Sequence, residues 1–131
     1  MRKVFLTMLV TVAALGVSAR AHHSYGATYD VNKEVHLEGK VVQFVLRNPH
    51  SFVHVQTKDE KGESQRWSVE WSAPASLGNQ GVTQQSLKVG DEVVIVARPS
   101  RVPGETRALM VNLKRPSDGF TWGQKAGESV D

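Results

Sequence analysis

No cysteine occurs in the 131 residues. Its absence excludes disulfides, a lipid anchor on a processed cysteine, thiolate metal ligands and a thiol nucleophile. Long apolar runs are equally scarce. The one candidate, Val4 to Val17, is interrupted by Thr7, Thr11 and Gly16. It is shorter than the ~20 residues that a comfortable bilayer span needs. Several catalytic signatures are also missing. There is no Gly-x-Ser-x-Gly elbow, no His-Glu-x-x-His zinc-protease motif and no glycine loop followed by Lys-Ser/Thr. Glu70 has no obvious carboxylate partner of the kind glycoside hydrolysis requires.

The start of the chain has the three zones of a cleavable secretory leader. Arg2 and Lys3 are the positive start, Val4 to Val17 the apolar stretch, and small residues follow. Ala19-Arg20-Ala21 would release a chain beginning at His22. Val17-Ser18-Ala19 would release one beginning at Arg20. The expected location is therefore the periplasm, with no permanent membrane anchor. The leader also carries the charge excess. The whole chain has sixteen basic and thirteen acidic residues, net +3. Removing residues 1–21 takes away Arg2, Lys3 and Arg20 and no acid, leaving thirteen of each sign. A net-neutral chain gives no support to nucleic-acid binding.

What remains reads as one small domain. Residues 22–35 form a polar and aromatic N-terminal arm (HHSYGATYDVNK and its continuation). Residues 36–115 then show β patterning, with runs at His36–Leu46, Ser51–Thr57, Gln65–Ser72, Glu92–Arg98 and Arg107–Leu113. Gly39 inside the first run suggests a bend or bulge. Asn48-Pro49 breaks the strand, and Gly62 in a charged loop signals a hairpin. Pro74 suits the first turn of a short helix between the third and fourth runs. The order predicts an all-β fold, a small five-stranded OB-like Greek-key barrel with a short helix between strands 3 and 4. Residues 116–131, rich in glycine and polar groups, are expected to be a flexible tail in which Trp122 is the candidate for docking.

Strand alternation locates the chemistry. Val53 and Val55 share one face of the second run; His50, Phe52, His54 and Gln56 share the other. In the third run Trp67, Val69 and Trp71 oppose Arg66, Ser68 and Glu70. A hairpin that buries the valines with the tryptophans puts Phe52 opposite Glu70. His50 and His54 then lie diagonally beside that carboxylate. Two imidazoles and a carboxylate are a usual set for zinc, copper or iron.

All five histidines lie between positions 22 and 54, and His22 and His23 are adjacent at the expected mature start. A terminal His22 would chelate through its amino nitrogen and its ring. A third-position His22 would complete a square-planar nitrogen site. The square-planar site favours Cu(II) or Ni(II), and either start gives a copper ligand set, with zinc as second choice. The expected metal residues are thus His22, His23, His50, His54 and Glu70, with Glu70 either a ligand or the group that orients a ligand imidazole.

Several segments together are also familiar: His22-His23-Ser24-Tyr25, Leu37-Glu38-Gly39-Lys40-Val41, Asn48-Pro49-His50, Trp67-Ser68-Val69-Glu70, Pro74 and Leu87-Lys88-Val89-Gly90-Asp91. Their combination resembles a family of small secreted proteobacterial proteins that is a domain of unknown function, over about residues 22–115. The resemblance implies that His22, His23, His50 and Glu70 belong to a shared pattern, of which His54 is not a fixed part; it implies no activity. The alternative expectation is a non-catalytic module that docks a periplasmic protein or a ligand without metal, with His50, Glu70 and Tyr25 fixing the arm by hydrogen bonds. A copper-dependent redox enzyme with an N-terminal histidine brace is a third.

Overall fold

The apolar residues that alternate along five runs meet in the interior of one barrel. The computed structural model describes residues 25–123. Within them, α1 (Tyr25–Thr28) precedes strands β1 (Val35–Val45), β2 (Phe52–Lys58) and β3 (Ser64–Glu70). Helix α2 (Pro74–Asn79) leads to β4 (Glu92–Pro99), β5 (Arg107–Arg115) and β6 (Phe120–Gly123). The sheet order is β3-β2-β1-β4-β5-β6, and a β3–β5 pairing closes the first five strands into a barrel. All other strand pairs are antiparallel; the closing pair is parallel. This is the OB-type Greek key that the order of runs predicts, with the short helix between β3 and β4.

Strand β1 serves both halves of the barrel. Its residues Val35–Lys40 pair with β4 and its residues Lys40–Val45 with β2, with a bulge between Val41 and Gln43. Gly39 stands at this change of partner. A Cβ there would lie 2.1 Å from the Gln56 carbonyl oxygen, so only glycine lets the strands approach so closely. The bend expected at Gly39 is thus a close backbone contact, and the bulge follows it. Between β2 and β3, Asp59 Oδ1 accepts the backbone N–H groups of Lys61 and Glu63, both at 2.9 Å, and Gly62 takes a positive φ of 77°. That turn sets the register of the hairpin.

Val53, Val55, Val69 and Trp71 are buried, together with Ile95, Ala97, Met110 and Leu113. Leu77 of α2, fully buried, enters the same core. Trp71 packs against Phe44, with centroids 5.9 Å apart. The expectation of a flexible tail from residue 116 needs revision over its first part. Arg115 holds Asp118 in a turn, and Phe120–Gly123 add β6 to β5. Trp122 meets Trp71 edge to face at 5.0 Å and joins the core from outside, which supplies the apolar contact that orders this segment. Residues 124–131 lie outside the described residues, as do residues 1–24, which include the expected leader, His22 and His23. No helix among the described residues is long and apolar enough to cross a membrane.

Candidate functional site

The hairpin register is the expected one. Phe52 pairs with Glu70, Val53 with Val69, His54 with Ser68 and Val55 with Trp67. Because side chains paired across a ladder share a face, Glu70 leaves the core on the side opposite Val69. It is nevertheless buried, at 6% exposure, because other parts of the chain cover it. A buried carboxylate is costly unless its oxygens are all occupied, and here they are.

Glu70 Oε1 accepts from His50 Nδ1 at 2.7 Å. Oε2 accepts from the Tyr29 hydroxyl and from Arg107 Nη2, the latter at 2.9 Å. Arg107 Nε donates to the Tyr29 hydroxyl at 2.9 Å, so Tyr29, Glu70 and Arg107 form a closed triangle. Burial pushes the Glu70 carboxyl up. The hydrogen bonds from Tyr29 and Arg107, with the charges of Arg107 and His50, outweigh burial and leave it below its ordinary 4.5. Burial and the adjacent carboxylate push the Tyr29 phenol far above its usual range. Glu70 is therefore a carboxylate at neutral pH and Tyr29 a hydroxyl donor.

Each member arrives from a different element. His50 sits in the β1–β2 loop, just before β2, where backbone bonds between Ser51 and residues 71 and 72 prolong the hairpin ladder. Arg107 opens β5 and pairs with Ser68 across the parallel closure. Tyr29, 1% exposed, bridges to Ser100, and the Asp30 N–H bonds the Pro99 carbonyl. Arg101 donates to the backbone carbonyls of Gly26 and Thr28. The arm is thereby laid across the barrel end, and Tyr25 near its start reaches His50. The Tyr25 hydroxyl lies 3.1 Å from His50 Nε2, and the two rings are 5.4 Å apart.

These contacts fix how His50 presents itself. An ionised Glu70 only accepts, so Nδ1 must carry the hydrogen of the His50–Glu70 bond. In the neutral ring that leaves Nε2 as the bare nitrogen, facing Tyr25. A carboxylate behind one ring nitrogen and an unprotonated second nitrogen is how a ligand imidazole is usually held, although here the Tyr25 hydroxyl occupies that second nitrogen. A cleft of about 390 Å³ lies in front of it, lined by Tyr25, Thr28, Arg47, Asn48, Phe52 and Arg107 among others.

His54 stands diagonal to Glu70, as the register predicts, but bonds elsewhere. Its Nδ1 pairs with the directly opposite Ser68 hydroxyl at 2.8 Å. Its ring stacks on Phe52 at 6.2 Å. The carboxylate instead goes to His50, Tyr29 and Arg107. Two of these partners, Tyr29 and Arg107, escape the sequence reading, since the arm and the parallel closure bring them in from distant positions. Among the described residues no three His, Asp or Glu side chains stand together so as to hold a metal ion.

A model described as a family of unknown function, DUF6152, matches residues 9–110. The chain belongs to the DUF6152 family. The span that DUF6152 matches contains the whole network just described, from Tyr25 to Arg107. No curated protein and no solved structure matches this chain.

Proposed function

We propose that this DUF6152 protein is a periplasmic copper-binding β-barrel, with His50, His22 and His23 as ligands. One observation carries the reading: Glu70 holds His50 by Nδ1, so that Nε2 points to Tyr25, near the start of the N-terminal arm. Chain geometry supports the meeting. Tyr25 touches His50, and an extended chain spans at most ~3.6 Å per residue, so His23 lies within about 7 Å of Tyr25 along the backbone. Glu70 acts as the orienting acceptor rather than as a ligand, because His50, Tyr29 and Arg107 use its oxygens. His54 is left out of the ligand set because it does not line the cleft before His50 and nothing ties it to Tyr25. All-nitrogen donors without thiolate suit Cu(II), then zinc. The Tyr25 hydroxyl must yield Nε2 when metal arrives.

The test is titration of correctly processed protein with Cu(II) and with Zn(II), read by calorimetry and, for copper, by the nitrogen hyperfine pattern in electron paramagnetic resonance. Single His50→Ala and His22→Ala variants, checked for folding by circular dichroism, should each lose most of the affinity. Equal binding by wild type and both variants refutes the proposal.

A second reading has its own observation. Tyr25 already satisfies Nε2, so the His50–Glu70 pair can serve to fasten the arm of a non-catalytic binding module. Under that reading Tyr25→Phe loosens the arm and His50→Ala leaves metal affinity unchanged.

A further inference from the structure

The cleft before His50 holds an excess of positive charge that the copper proposal does not use. Two guanidiniums share one aromatic ring there. Arg47 lies 5.3 Å and Arg107 lies 5.7 Å from the centroid of Phe52. Arg107 is balanced by Glu70. Arg47 forms no ion pair among the described residues. With one buried carboxylate against two arginines, the cleft carries a net positive charge before His50 is counted.

A second sign of this field comes from the neighbouring strand position. Burial lowers the pKa of His54, and the charges of Arg66 and Arg47 lower it further. The cleft also has the dimensions and lining of a ligand site. Its 390 Å³ falls within the ~300–1,000 Å³ usual for small-molecule pockets. Phe52 supplies an apolar wall, and the Tyr25, Thr28 and Asn48 side chains supply neutral polar groups around the guanidiniums. A larger cleft near the β2–β3 turn lacks this bias, since it mixes Lys58 and Lys61 with Glu38, Asp59, Glu60 and Glu63.

We propose that this cleft binds a small molecule through an oxyanion, a carboxylate or a phosphate group, held between the guanidiniums of Arg47 and Arg107 over Phe52. A planar fork of N–H donors matches either anion. Arg107 is pre-set for the task, because Glu70 and the Tyr29 hydroxyl already fix Nη2 and Nε. Arg47 is exposed and closes on the anion from the solvent side. The site does not depend on a metal.

The experiment is a titration of ¹⁵N-labelled, metal-depleted, processed protein with succinate and, separately, with inorganic phosphate. It is followed by nuclear magnetic resonance at low ionic strength and again near 0.15 M salt. Saturable shifts of the arginine Nε–H signals and of the amides of His50 and Phe52 are expected with at least one probe. Saturation by succinate alone identifies a carboxylate ligand, and saturation by phosphate alone a phosphate ligand; saturation by both supports a general oxyanion clamp. Arg47→Gln, a surface change that leaves the fold intact, should weaken binding about tenfold or more, the scale of a lost charge-assisted hydrogen bond. Arg66→Gln, on the same sheet face but outside the cleft lining, should change it less than twofold. Non-saturating shifts with both probes overturn the proposal, as does an equal loss in the two variants.

Discussion

Replacing Tyr29 by phenylalanine removes one oxygen atom from the centre of the Tyr29–Glu70–Arg107 triangle and nothing from the packing around it. The ring is 1% exposed, so water has little access to fill the gap. The hydroxyl donates to an ionised carboxylate and accepts from Arg107 Nε. A hydrogen bond to a charged group contributes ~1.5–3 kcal/mol net. The Arg107 side chain is 40% exposed, so solvent replaces its lost acceptor, and only the bond to Glu70 counts in full. The expected loss at pH 7 is therefore about 2 kcal/mol. With a denaturant slope of ~1–3 kcal/mol/M for a small domain, the urea midpoint should fall by about 1 M. The pH dependence supplies a second check. The Glu70 pKa is depressed in the folded state, so its stabilisation is fully present above the ordinary value of 4.5 and is lost as pH falls through the folded value. Tyr29 is one source of that depression, so the gap between wild type and variant should narrow below pH 4.5. Urea titrations of both proteins at a series of pH values measure it. A difference under ~0.5 kcal/mol at pH 7, or a gap that widens in acid, would refute the reasoning.

Glu70→Gln should flatten the acid limb of the stability curve below pH 4.5 and cost ~2–3 kcal/mol at pH 7, less than a fully buried pair because Arg107 is partly solvated; urea titration at both ends of the pH range decides it. Gly39→Ala should destabilise by roughly 1–3 kcal/mol, toward the upper end because the new methyl meets the Gln56 backbone rather than a side chain that can turn away. Thermal unfolding indistinguishable from wild type would contradict that contact. Trp122→Ala should cost about 2 kcal/mol, between a surface change and a core truncation, because its indole is half-buried on Trp71. The fluorescence of the remaining indoles reports whether the packing was lost.

Much of the hairpin was legible because its information is local. Valines and tryptophans at alternate positions allow one register, and that register puts Phe52 opposite Glu70 and brings His50 to the carboxylate. The sequence of strands, the glycine bend and the proline-led helix likewise declare the barrel. Contacts made across long separations were not legible. Arg107 reaches Glu70 over the parallel β3–β5 pairing, which no neighbouring residues encode, and Tyr29 reaches it because the arm bonds to the β4–β5 loop. A tyrosine within a polar arm was the available hint. Trp122 shows the same limit from the other side. Its glycine-rich surroundings read as a tail, while the surface of Trp71 that orders it is assembled only in the folded chain. His54 illustrates a competition that alternation alone does not resolve: the directly opposite Ser68 claims its ring nitrogen, and the diagonal carboxylate has other partners.

The parallel closure joins only Ser68, Val69 and Glu70 to Arg107, Ala108 and Leu109, whereas β2 and β3 are matched along seven positions. It is the shortest joint of the barrel, and Glu70 and Arg107 stand on its two lips. Breathing of the barrel at this joint would part the two residues that steady His50 and line the cleft. Conversely, whatever occupies the cleft and favours the closed joint adds its binding energy to the stability of the entire domain. Amides along Ser68–Glu70 and Arg107–Leu109 would then exchange with solvent more slowly in the loaded protein, although none of them need touch the ligand.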